Sequence, residues 1–292
     1  MNEVKRTFVI GEEWLYYKIY AGPKTCERII LETIGPITRI FMDDKSIEKW
    51  FFIRYSDPDY HLRVRFKCTK LEDTFGLIRE LSRSMSTMVN EDLIHRIQID
   101  TYHREIERYG KDTIHLFEQL FFFDSQMVIQ FFSNSPNIEI HDDRWLFGAK
   151  SINCILQLFG YSLKEKLSFT KGVLRSFGEE FRFDKRFKKQ LRNKYQRNRL
   201  ILEEFLTFQE EQNNRNRSFR NIIDIYSQDA DNIILSITSI TDASLLDSRI
   251  QSYLHMFLNR LFRSKNRLQE FVLYFMMERH YQALNGKYKS KL

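Results

Sequence analysis

Three short stretches of this 292-residue chain gather side chains suited to handling anions. His61-Leu62-Arg63-Val64-Arg65 carries two arginines at i, i+2. Tyr102-His103-Arg104-Glu105-Ile106-Glu107-Arg108-Tyr109-Gly110 carries a carboxylate and an arginine three residues apart. His255-Met256-Phe257-Leu258-Asn259-Arg260 carries an imidazole, an amide and an arginine. An arginine offers a planar fork of donors that matches a carboxylate at two points and stays charged when partly buried, so Arg63 and Arg65 together suit one acidic ligand. A solvated outer face of an edge strand would produce the same alternation. Glu105 and Arg108 form an ion pair if the segment is helical and face opposite ways if it is extended, with Arg104 and Glu107 as competing partners. On a helix, Asn259 shares a face with His255 and can orient the imidazole for acid/base work, while Arg260 projects from another side of the turn. The plainer alternative for His255, among Leu254, Met256 and Phe257, is a satisfied core histidine.

The elements that must position these groups follow from the patterning. Trp14 to Tyr20, Ile29 to Ile40 and Trp50 to Tyr55 are dense in β-formers, with Gly22-Pro23, Gly35-Pro36 and Asp57-Pro58 as punctuation, and are predicted strands. His61 to Lys67 alternates so that a strand buries Leu62, Val64 and Phe66 and turns Arg63 and Arg65 to the other face. Leu71, Phe75, Ile78, Leu81 and Met85 recur at helical spacing across residues 71 to 89, and a strand over Ile94 to Tyr102 follows. Helices are then expected over Asp112 to Phe132, Trp145 to Phe159, Leu163 to Phe177, Asp184 to Gln212, and Ala243 to Leu284 in one or two pieces; Gln212 to Arg220 reads as a polar loop. The fold class is α+β, an N-terminal mixed sheet with a largely helical C-terminal half, in a single compact domain over residues 1–292.

Composition narrows the chemistry further. The chain has 42% hydrophobic residues and only four prolines and ten glycines, which fits a packed globular protein without long linkers. The N-terminus has no signal-like apolar segment, and Leu116 to Phe132 is interrupted by Glu118, Gln119, Asp124 and Gln126, so a cytoplasmic protein without membrane insertion is expected. Cys26, Cys68 and Cys154 are scattered, and there is no Gly-rich phosphate loop, G-x-S-x-G or H-E-x-x-H, so neither a metal nor another cofactor is expected. Net charge is +7, with much of the excess in Arg182 to Arg199, which is either a solvated helix face or a surface for an anionic partner.

Taken in order, W-x-YYKIY, RY-x-DP-x-x-HLRVR, Y-x-RE-x-ERYG and H-M-x-x-NR, from Trp14 to Phe262, resemble the elimination domain of class I lanthipeptide dehydratases and the related small proteins of thiopeptide pathways. In that family one part transfers glutamate from charged tRNA to Ser or Thr hydroxyls and another eliminates it, leaving dehydroalanine or dehydrobutyrine. The resemblance implies the second activity, a lyase working as the small subunit of a split dehydratase. It maps Arg63 and Arg65 onto paired active-site arginines, Arg108 onto a further one and His255 onto the essential histidine; Glu105 occupies the motif's acidic position and Arg260 its trailing arginine. Arg65 and Arg108 are expected to bind the glutamyl carboxylates, Arg63 to support the peptide carbonyl or developing enolate, and His255 to transfer a proton. The implied partners are a ribosomally made precursor peptide and a separate glutamylating subunit that uses glutamyl-tRNA; direct tRNA contact and assembly into a homodimer stay open. The alternatives are a pyridine synthase joining two dehydroalanines and a non-catalytic scaffold for peptide or partner.

Overall fold

The computed structural model describes residues 4–134, 141–180, 185–206 and 214–289. Its elements, in chain order, begin β1 (Thr7–Phe8), β2 (Trp14–Ala21), α1 (Pro23–Ile29), α2 (Gly35–Asp43), β3 (Ile47–Tyr55), β4 (His61–Cys68), α3 (Leu71–Asn90), β5 (Ile94–Asp100) and β6 (Tyr102–His103). They continue with α4 (Ile106–Tyr109), α5 (Ile114–Asn134), α6 (His141–Leu158), α7 (Leu163–Glu180), α8 (Lys185–Leu206), α9 (Asn214–Ile240), α10 (Ala243–Leu261) and α11 (Asn266–Lys289). Two compact units divide these: Met1–Pro136 with Ser239–Thr241 and Asn259–Ser264, and Asn137–Thr238 with Asp242–Leu258 and Lys265–Leu292. The class is α+β as the sequence implies, and the sheets are antiparallel throughout rather than mixed.

The first unit is organised by a four-stranded sheet in the order β3-β4-β2-β5. Register and the two-residue period of a strand sort its side chains onto two faces. Leu15, Tyr17, Ile19, Leu62, Val64 and Phe66 form the core face, with Leu62, Val64 and Phe66 at 0% exposure. Arg54, opposite Leu62, lies on this face and reaches Glu27 of α1, which fixes where α1 packs. Tyr16, Lys18, Tyr20, Arg63 and Arg65 form the other face. The free edge of β3 is closed by side chains: the Phe52 N–H donates to Ser125 Oγ on α5 at 3.2 Å and the Arg54 N–H to Asn259 Oδ1 at 2.7 Å, so its backbone donors are not left for another strand.

Three expectations fail locally. Ile29 to Ile40 is helical, not a strand: α1 runs through a π-helical turn, Ile30–Ile34, into α2. The Gly35 N–H reaches back to the Ile30 carbonyl, and Pro36, lacking an N–H, sits in the first turn of α2, where a missing donor costs nothing. In α3 the buried stripe is Thr74, Leu77, Leu81, Met85 and Met88, while Phe75 and Leu71 are exposed, because the buried face is turned about a sixth of a turn from the apolar stripe read in the sequence. The predicted loop Gln212 to Arg220 is helical from Asn214 onward, residues 212–213 lying outside the described set; Asn216 and Phe219 are buried, and Asn216 Oδ1 accepts the Lys150 ammonium.

The second unit is built from the long helices α6 to α11. α11 packs on α7, α8 and α6, and its first turns enter an aromatic cluster in which Phe271 meets Phe177 at 5.6 Å and Phe187 at 6.2 Å between centroids. Gly160, at φ +82°, closes α6: its N–H and that of Tyr161 return to Gln157 and Leu156.

Candidate active site

The outer face of the sheet is where the paired arginines lie, and it is not an edge. β4 is an interior strand between β3 and β2, and Arg65 is only 8% exposed. Its guanidinium stacks 4.4 Å from the Tyr16 ring, 4.9 Å from Tyr102 and 5.3 Å from Phe51. Among the described residues, Nε of Arg65 has no hydrogen-bond partner. A nine-tenths buried cation in an aromatic cradle, without a fixed carboxylate, is a costly arrangement unless a ligand supplies the anion.

Arg63 is oriented differently. Its guanidinium lies 3.5 Å from the Tyr55 ring centroid, and Nε donates to His61 Nε2 at 3.0 Å. His61 Nδ1 in turn donates to the Asp59 carbonyl at 2.7 Å, which fixes the neutral tautomer whose Nε2 can accept from Arg63. Burial pushes the His61 imidazole below its ordinary value, the Asp59 carbonyl opposing and Arg63, Lys18 and Arg96 adding to the depression. His61 also stacks on Tyr20 at 4.5 Å. Lys18 pairs with Asp100 across β2 and β5, and Arg96 lies over Tyr20 at 4.0 Å, so the face is cationic across three strands.

Beyond β6 the chain makes the single helical turn α4, ending at Gly110, whose φ of +81° only glycine adopts readily. Helical geometry therefore decides the Glu105–Arg108 question: Arg108 Nε and Glu105 Oε2 are 3.2 Å apart in an exposed i, i+3 pair. The competing residues go elsewhere. Arg104 makes a bidentate pair with Glu118, both bonds at 2.7 Å, and Glu107 pairs with Arg6. Tyr102 OH donates to the same Glu118 at 2.8 Å; burial first, then that carboxylate, holds the phenol far above its ordinary value. Ring contacts run from Tyr102 to Phe51, from Phe51 to Phe121 at 5.3 Å and on to Tyr109 at 5.2 Å, tying the α4 turn to the cradle of Arg65.

Asn259 and Arg260 serve the first unit's framework. Asn259 Oδ1 takes the Arg54 N–H at 2.7 Å. Arg260 is 0% exposed, with Nη1 3.6 Å from Asp124 and its guanidinium 4.9 Å from the Phe121 ring, while its carbonyl accepts Arg54 Nε. Solvent does not reach it, and it packs against Asp124 and Phe121 of α5.

His255 belongs to the second unit and is neither a sealed core residue nor unsupported. Its side chain is 25% exposed, and Nδ1 lies 2.7 Å from Oε2 of Glu270, which is 2% exposed. Arg267 Nη1 contacts the same oxygen at 3.1 Å while its guanidinium stacks 4.3 Å from Phe177. With the Nδ1 proton held by a carboxylate, Nε2 is the nitrogen left to exchange a proton. Glu270, Tyr16, Tyr102 and His61 were not legible as site residues; Glu270 lies 15 positions away in another helix, and only the register brings Tyr16 opposite Arg65.

Comparison with known proteins bears out the resemblance. The chain belongs to the family described as the C-terminal part of lantibiotic biosynthesis dehydratases, which matches residues 14–281. It is 29% identical over 177 residues to the subtilin biosynthesis protein SpaB of Bacillus subtilis and 35% identical over 118 residues to the nisin biosynthesis protein NisB of Lactococcus lactis subsp. lactis. The matches cover 60% and 40% of this chain but 17% and 11% of those proteins, so it spans under a fifth of their length. The fold is shared with the tRNA dependent lantibiotic dehydratase MibB from Microbispora sp. 107891 (TM-score 0.74, 17% identity, 96% of this chain and 29% of that one). It is also shared with the pyridine synthase TbtD from thiomuracin biosynthesis (TM-score 0.62, 14% identity, 94% and 99%). Among the described residues no helix is long and apolar enough to cross a membrane.

Proposed function

We propose that this chain eliminates glutamate from glutamylated Ser and Thr side chains of a ribosomally made precursor peptide. Hydroxide is a poor leaving group and a carboxylate a good one, so a glutamyl ester prepares the side chain for β-elimination. The Cα proton is removed, the Cβ–O bond breaks, glutamate departs as its carboxylate and the Cα–Cβ double bond forms. In this reading Arg65 and Arg108 hold the glutamyl carboxylates, Arg63 steadies the carbonyl oxygen as enolate charge develops, and His255 moves the proton, with Glu270 fixing its tautomer. Glu105 is the internal carboxylate that Arg108 exchanges for the substrate's. The ester is supplied by a glutamylating partner. The observation that carries the reading is Arg65: buried to 8%, ringed by Tyr16, Phe51 and Tyr102, with an unpartnered Nε.

A second reading, pyridine synthesis from two dehydroalanines, draws on the match to nearly the whole length of TbtD. Mass spectrometry of a synthetic glutamylated Ser peptide incubated with the purified chain, and with its His255→Ala variant, separates the two. The elimination reading expects loss of glutamate to dehydroalanine with the wild type alone. Intact ester in both, together with cyclisation of a peptide bearing two dehydroalanines, would replace it with the synthase.

A further inference from the structure

A cavity in the second unit is absorbed by none of this chemistry. The basic segment singled out in the sequence forms α8 from Lys185 onward, residues 182–184 lying outside the described set. Leu206, at the end of that helix, joins residues of α6, α7 and α11 around a pocket of about 550 Å³, within the size range of small-ligand sites. Lys166 lines it at 7% exposure, its ammonium donating to the Asn153 carbonyl at 2.9 Å and to Asn153 Oδ1 at 3.0 Å. An ammonium carries three donors, so one is left over. No carboxylate among the described residues pairs with it; burial pushes it down to about 8, with Cys154 opposing, so at neutral pH it is still mostly charged. Tyr281 OH donates to the same Asn153 Oδ1 at 2.9 Å, which fixes the amide and leaves Nδ2 as a donor without a partner among the described residues. In the first turn of α7 the Lys166 N–H returns to the Ser162 carbonyl and the Glu165 N–H to Ser162 Oγ, while the N–H groups of Leu163 and Lys164 have no partner among the described residues.

We propose that this pocket binds a monocarboxylate bearing an apolar group, either a free organic acid or the C-terminus of a peptide whose last side chains are apolar. One buried ammonium balances one negative charge, and a charge this deep without a counter-ion is costly until an anion supplies it. The Asn153 amide and the first turn of α7, where the helix dipole favours negative charge, supply the further donors that the two oxygens of a carboxylate accept. Leu163, Leu206 and Leu284 make the rest of the wall hydrocarbon, which suits an apolar substituent and opposes the second charge of a phosphate monoester. The pocket shares no residue with the outer face of the sheet or with the His255–Glu270 pair, so the inference stands apart from glutamate elimination.

The test is isothermal titration calorimetry of the full chain with hexanoate and with an acetylated alanyl-leucyl-leucine peptide, each beside its carboxamide. The expected result is binding of at least one acid, with its amide weaker by about tenfold or more, because the amide lacks the charge that Lys166 meets. Tighter binding of hexanoate assigns the pocket to free acids, and tighter binding of the peptide assigns it to a chain terminus. Lys166→Met keeps the length of the side chain and removes the charge; it should bring the acid down to the affinity of the amide, with a melting temperature equal to or above the wild type, since hydrocarbon then replaces an unpaired buried charge. Leu284→Asp, at a half-buried position near the end of α11, sets a negative charge against the ligand and should weaken the acid by about tenfold or more. Failure of both acids to bind, equal affinity for acid and amide, or unchanged affinity in the two folded variants would overturn the inference. Displacement of hexanoate by an equal concentration of inorganic phosphate would overturn the assignment to a carboxylate.

Discussion

Two sets of arginines on opposite faces of one sheet have opposite settings. On the core face, Arg54 is 1% exposed and fully engaged: Nη2 to Glu27 at 3.1 Å, Nε to the Arg260 carbonyl, Nη1 toward Tyr60. Glu27 is itself shared with Arg263, whose Nε and Nη2 reach its other oxygen at 2.9 and 2.6 Å. On the outer face, Arg63 and Arg65 are held by aromatic rings and a histidine, with no carboxylate among the described residues paired to them. A carboxylate-satisfied arginine is a framework element, and its loss appears in stability. In the proposed function, an arginine held in shape by aromatic rings rather than by a carboxylate takes the substrate's anion, and its loss appears in activity. The same contrast separates Arg104, clamped by Glu118, from Arg108, loosely paired and exposed.

The largest expected effect tests the framework side. Glu27→Ala leaves Arg54 buried without its counter-charge, and breaking a buried pair in this way costs about 3–5 kcal/mol; denaturant unfolding should report it, and a variant within 1 kcal/mol of wild type would erase the contrast. On the outer face, Arg65→Lys keeps the charge but removes the fork, and should lower kcat for glutamate elimination by roughly 10²–10³ while the unfolding midpoint moves little. Equal losses of stability in both variants would place Arg65 in the framework. Glu270→Gln should reduce elimination by about 10–100-fold, in the range for groups that orient a functional histidine, with the unfolding midpoint little changed. An unchanged rate would reduce Glu270 to a packing partner.

The smallest effect concerns His61. Its folded value is depressed below 6.5, so the unfolded chain takes up the proton first. Stability is therefore fully present above that value, declines as the pH falls through it and levels off below the folded value. His61→Gln should remove this component of the slope. In the wild type, protonation also takes the acceptor from Arg63 Nε, so elimination should weaken over the same acidic window more than in the Gln variant.

Much of the first unit was legible. The density of β-formers in Trp14 to Tyr20 and the alternation in His61 to Lys67 give both strands, and the alternation assigned Leu62, Val64 and Phe66 to the core and both arginines to the other face, because strand periodicity is a local property of the chain. Ile29 to Ile40 was misread because β-branched residues favour strands only until packing outweighs propensity; here Cys26, Ile29, Ile30 and Ile34 are buried as a helical face. The polar run starting at Asn214 was misread as a loop because its two buried residues, Asn216 and Phe219, are one turn apart among exposed ones, a signal too sparse to declare a face.

The sequence by itself determined which residue types could bind an anion or exchange a proton, where the imidazole lies along the chain, and the order of motifs that marks the family. The tertiary structure alone decided which arginines are already spoken for. Charge and spacing look alike in Arg54, Arg65, Arg104 and Arg260, and what distinguishes them is whether Glu27, Glu118 or Asp124 comes within bonding distance. Those carboxylates are 14 to 136 residues away along the chain, and the choice of His255 over other histidines rests likewise on Glu270 from another helix. Local propensity sets the face on which a side chain points; only long-range packing sets the charge that meets it.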